Sequence, residues 1–83
     1  MFEPVKLGDE GTNVWIMQSF LRVLQYCGRD GQPLVIDGTC GEDSVHAIND
    51  FQETQRKFGY ECGTKGENDG VFCRACWERI GVI

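Results

Sequence analysis

The chain has 83 residues, 41% hydrophobic and 25% charged, which fits one domain with a small core and does not fit a disordered chain. A net charge of −5, with the basic residues scattered, argues against a nucleic-acid partner and against an anionic membrane surface. No stretch reaches the roughly 20 apolar residues of a membrane span.

The opening "MFEPVKLGDEG" is acidic, is interrupted by Pro4, and does not read as a secretory signal. It fits either a protein made in the cytoplasm or an excised domain with Met1 added. Residues 1 to 11 read as an extended lead-in ending in a turn, with Gly8 and Gly11 as punctuation. Residues 12 to 27 read as a first helix. Val14, Met17, Leu21 and Leu24 recur at helical spacing and form its inner face. Ile16, Phe20, Val23 and Cys27 form a second apolar row beside it, so about half the helix circumference is apolar. Trp15, Ser19, Arg22 and Tyr26 occupy the opposite, polar side.

After the loop "GRDGQP", residues 34 to 36, "LVI", read as a short strand, and Asp37-Gly38 as a turn. Residues 42 to 58 read as a second helix. Glu42 and Asp43 suit the dipole of its first turn. Its inner face is read as Ser44, Ala47, Ile48, Phe51, Gln55 and Phe58. A Gly-rich loop, "GYECGTKGEN", leads to Asp69-Gly70, and residues 73 to 80 read as a short third helix. The two Asp-Gly segments superpose at a constant offset, 69 minus 37, or 32 residues, which aligns Cys40 with Phe72, Ser44 with Cys76 and Ile48 with Ile80. The expected fold is therefore all-α: one compact three-helix domain over residues 1–83, with two Asp-Gly turn-to-helix repeats and at most short strands.

Taken together, "LGDEGTNV", "MQSFLRVLQY", "IDGTCG", "SVHAINDFQ" and "NDGVFCRACWERI" resemble the peptidoglycan-binding domain of the three-helix type. That family reads Leu-x-x-Gly-x-x-Gly-x-x-Val-x-x-Leu-Gln-x-x-Leu-x-x-Leu-Gly-Tyr, then Asp-Gly-x-Phe-Gly-x-x-Thr-x-x-Ala-Val-x-x-Phe-Gln, then Asp-Gly-x-x-Gly-x-x-Thr-Trp-x-x-Leu. The resemblance runs from Leu7 to Ile80. It implies a non-catalytic module that tethers a cell-wall hydrolase or phage endolysin to bacterial peptidoglycan. The partners it implies are the wall polymer, by stem peptide or glycan, and an attached catalytic domain. The site of action it implies is the bacterial cell wall or envelope. Departures from the family pattern are Cys40 for an aromatic, Cys73 for a glycine, Cys76 for a threonine, and two longer loops.

The residues expected to bind ligand are Trp15, Tyr26, Asp37, Gly38, Gln52 and Asp69. Aromatics beside polar groups offer apolar area with a polar tip, which suits sugars and peptides. Turn carboxylates and amides suit the amines and amides of a stem peptide. No catalytic residue, metal or cofactor is expected. The lone His46 lacks the partners of a catalytic zinc site, and a core this small leaves little room for a walled cleft. Cys73-Arg74-Ala75-Cys76 is a Cys-x-x-Cys motif, which raises redox or zinc chemistry. It lacks the preceding βαβ pattern and a second ligand pair, so the cysteines read as free thiols packed as small hydrophobes. The alternative from a different class is a protein–protein interaction or dimerisation module, using the half-apolar first helix. A small zinc or thiol protein is the weaker alternative.

Overall fold

The computed structural model describes residues 2–81. Three helices follow in chain order: α1 (Thr12–Val23), α2 (Glu42–Lys57) and α3 (Arg74–Arg79). The expected mostly helical domain is therefore found, with one large difference of extent: α1 stops four residues before the predicted end.

The stop is made by backbone, at a residue with no glycine signal. Gln25 adopts φ 71° and reverses the chain. Its N–H then donates to Arg22 O at 2.9 Å, and the Tyr26 N–H donates to Leu21 O at 2.9 Å. This pair of bonds closes a helix C-terminus by satisfying carbonyls that the helix leaves open. The same pair ends α2, where Gly59 donates to Arg56 O and Tyr60 to Gln55 O. Leu24 and Phe58 thus sit at helix caps, and both are exposed instead of lying on the inner faces read from the sequence.

The inner face of α1 is Val14, Met17, Gln18 and Leu21; that of α2 is Ser44, Ala47, Ile48, Phe51 and Gln52. Each buries one glutamine, and in α2 it is Gln52 that lies inside, with Gln55 half-buried. The aromatic part of the core runs as a chain of contacts. Tyr26 meets Phe51 edge-on, Phe51 meets Phe72, and Phe72 meets Trp77 edge-on at 4.9 Å between ring centres. Buried aromatic pairs of this geometry add roughly 0.5–1.5 kcal/mol beyond the area they remove from water.

No strand longer than an isolated bridge occurs among the described residues. The expected strand at 34–36 does not form: Leu34 is buried, but Val35 projects into solvent. Backbone pairing comes instead from the lead-in. Val5 and Phe72 exchange both N–H···O bonds, at 3.1 and 2.8 Å. Gly8 donates to Cys40 O, Cys40 to Asp9 O, and Gly11 to Gly38 O, all within 2.9 Å. The Trp77 indole N–H donates to Glu3 O at 2.9 Å. The lead-in thus ties both Asp-Gly segments and α3 together. No helix among the described residues is long and apolar enough to cross a membrane.

Candidate functional site

Two Asp-Gly turns precede α2 and α3, and each is held by a buried glutamine from the helix before it. At the first turn, Gln18 Nε2 lies 3.0 Å from Asp37 Oδ1, Thr39 O and Ser44 Oγ, sharing two hydrogens among three acceptors. Its Oε1 accepts the N–H groups of Asp37 and Gly38 at 3.1 and 2.9 Å. Donors and acceptors on both sides fix the orientation of this amide, because a flipped amide would face its NH₂ to two backbone N–H groups. At the second turn, Gln52 Nε2 donates to Asp69 Oδ1 and Val71 O, both at 2.7 Å, and Oε1 accepts from Asp69 N. Asn49 Oδ1 takes the Gly70 N–H at 2.9 Å. Gly38 and Gly70 have φ of 78° and 70°, a region open to glycine and strained for other side chains.

Each aspartate also accepts the N–H two residues on, Thr39 for Asp37 and Val71 for Asp69. The Asp37 carboxyl is held below the usual carboxylate range, first by the Thr39 N–H and then by the Gln18 amide. For Asp69, burial pushes upward, but the Thr64 hydroxyl, the Gln52 amide and the Val71 N–H outweigh it and leave the carboxyl lowered. A lowered folded-state pKa stabilises the fold above the unfolded value of about 4, and that stability is lost as pH falls through the folded pKa. Urea unfolding midpoints measured from neutral pH down through the carboxylate range should therefore fall below about pH 4. Asp37→Asn and Asp69→Asn keep the accepting oxygen and should each flatten that fall. An acid limb unchanged in both variants would remove these carboxylates from the explanation.

The six residues expected at the ligand site do not converge. Trp15, Asp37 and Gly38 line one open depression, shared with Glu10, Gly11, Thr12 and Thr39, between the start of α1 and the first turn. Trp15 is 53% exposed there. Gln52 is 0% exposed and has no surface to offer a ligand. Asp69 has both carboxylate oxygens engaged, one by Gln52 and Val71 and the other by Thr64 Oγ1 at 2.6 Å. Tyr26 lies beyond α1 and is half-buried against Phe51, so it does not share a helix face with Trp15.

Gln18 is the residue whose role the sequence reading missed. The signal was available: a glutamine beside apolar inner-face residues, sixth from the end of each helix. Asn49 and Thr64, which complete the second turn, carried no comparable signal.

The thiols of Cys40, Cys62 and Cys76 are buried, and those of Cys27 and Cys73 half-buried. Burial pushes the Cys40 thiol up to about 11, and it raises Cys62 and Cys76 as well. Thiols held protonated in this way pack as small hydrophobes. His46 is half-buried, with Nδ1 3.3 Å from Cys27 O and 3.6 Å from Asp50 Oδ2. No group of three or more His, Cys, Asp or Glu side chains among the described residues could hold a metal ion. Comparison with family models, with curated proteins and with solved structures returns no match.

Proposed function

We propose that this chain is a non-catalytic binding module for bacterial peptidoglycan, which tethers a cell-wall hydrolase to its substrate. In this reading the two Asp-Gly turn-to-helix segments are two copies of one unit, and the depression beside the first copy meets the ligand. The observation that carries the reading is Trp15. It is a large aromatic left half-exposed beside a carboxylate turn. Trp15 supplies apolar area to a sugar ring or peptide. Asp37 and Glu10 supply charge for an amine, with Asp37 limited to the bonding capacity its own turn leaves free.

Binding by so small a surface is weak, on the order of tens of micromolar, because little is left after the costs of association. Many closely spaced sites on a wall offset that weakness.

The test is retention on purified peptidoglycan sacculi. Trp15→Ala should reduce retention about tenfold, the loss expected of a central aromatic contact. Its thermal midpoint should stay close to the parent's, since an exposed position costs within about 0.5 kcal/mol. Equal retention of folded parent and variant would move the ligand elsewhere on the surface. A parent that is not retained at all would remove the wall-binding reading.

The interaction-module alternative gains less from the surface. Of the second apolar row, Ile16, Phe20 and Cys27 are half-buried and only Val23 projects freely.

A further inference from the structure

Two of the five thiols meet at the start of α3. Cys73 caps α3 and is half-buried, while Cys76, within the first turn, is wholly buried. Their Sγ atoms stand 3.8 Å apart, in van der Waals contact. Cys62 is buried in the loop of residues 59–70. A disulfide needs its sulfurs at about 2.05 Å and its Cα atoms within about 4.4–6.8 Å. Cys73, at the N-cap, and Cys76 stand three residues apart across the start of α3. Closing the bond asks the sulfurs to approach from 3.8 Å, with both side chains and the cap of α3 adjusting together.

We propose that Cys73 and Cys76 form a modification site, a dithiol that closes to an intramolecular disulfide by exchange with a small-molecule disulfide. The half-buried thiolate of Cys73 attacks one sulfur of the reagent. The reagent's S–S bond breaks, one of its halves leaves as a thiolate and takes up a proton, and a mixed disulfide remains on Cys73. Cys76 attacks Cys73 Sγ as its proton passes to the departing second half of the reagent, which leaves as a thiol. In sum two protein thiols are oxidised and one reagent disulfide is reduced to two thiols.

Exposure sets the order of these steps. Cys73 meets solvent, whereas Cys76 lies in the core and reacts only with the sulfur already in contact with it. The bridge ties the cap of α3 to its first turn, beside Phe72 and Trp77. It leaves untouched the residues lining the depression at Trp15.

The experiment treats the folded, reduced chain with oxidised glutathione in mildly alkaline buffer, alkylates what remains, and maps peptides. Cleavage after Arg74 separates the two cysteines, so a bridge appears as two linked peptides. The expected result is loss of two of the five free thiols and a Cys73–Cys76 link. Cys76→Ala should stop at a lasting mixed disulfide on Cys73, and Cys73→Ala should keep its remaining thiols. A bridge that uses Cys62 in place of Cys73, a mixed disulfide that persists in the parent, or five unreacted thiols would each overturn the proposal. The linked-peptide result needs no variant, so it stands even where Cys76→Ala folds poorly.

Discussion

Replacing Gln18 with alanine is expected to lower stability by about 3 kcal/mol. Gln18 is buried, and one amide satisfies five partners across the junction of α1, the first turn and α2. Alanine leaves a cavity in the shape of an amide and strands the Ser44 hydroxyl, which is itself buried. Water reaches the exposed side of the turn and recovers part of the loss at Asp37. Gln52→Ala removes three bonds instead of five and is expected to cost about 2 kcal/mol. Both numbers are read from urea or guanidinium unfolding at neutral pH. Gln18→Glu sharpens the test, because it places a second carboxylate against Asp37 and should be at least as damaging as alanine. A loss under about 1 kcal/mol for Gln18→Ala would mean the turn holds itself without the clip.

The second large effect is expected at Gly63, where alanine should cost about 2 kcal/mol or more. Gly63 has φ 94°, which already disfavours any side chain. A Cβ there would also collide with the carbonyl oxygen of Glu67 and lie 2.8 Å from Arg56 Nη1. Neither neighbour is free to move. Glu67 O accepts from Thr64 N in a tight reversal whose central residues, Lys65 and Gly66, both have positive φ. That is the signature of the hairpin turn that matches strand twist. Arg56 is held by Cys62 O at 2.9 Å and Asn68 Oδ1 at 2.6 Å. The strain should spread to Thr64, whose hydroxyl holds Asp69, and to Cys62, which the loop covers. Chemical denaturation gives the stability loss, and the rate of Cys62 alkylation reports whether the loop opens. An unchanged unfolding midpoint would show that the loop contributes nothing to the fold.

Both substitutions concern bonds that reach well along the chain, and this divides what was legible in the sequence from what was not. Helical spacing is a local property. Val14, Met17 and Leu21, and Ala47, Ile48 and Phe51, were readable as inner faces because 3.6-residue periodicity is written into consecutive positions. The positive φ of Gly38 and Gly70 was readable for the same reason, since the conformation that each glycine permits lies within its own residue. The end of α1 was misread because Gln25, a residue with no turn preference, takes the conformation usually left to glycine. With the helix shortened, Tyr26 leaves the polar face and packs on Phe51, a contact that no spacing rule carries.

The candidate site divides in the same way. Residue types named Trp15, Asp37, Gly38, Gln52, Asp69 and Tyr26, but tertiary structure decided which of them face solvent together. Gln18 reaches 19 residues along the chain to Asp37, and Gln52 reaches 17 to Asp69. Those reaches turn one glutamine from a ligand candidate into a structural clip and leave Trp15 beside the first turn. The sequence by itself determined three helices and a small apolar core. Only the folded chain decided which polar groups satisfy one another, because a hydrogen bond between distant residues depends on distances set by the packing of every element between them.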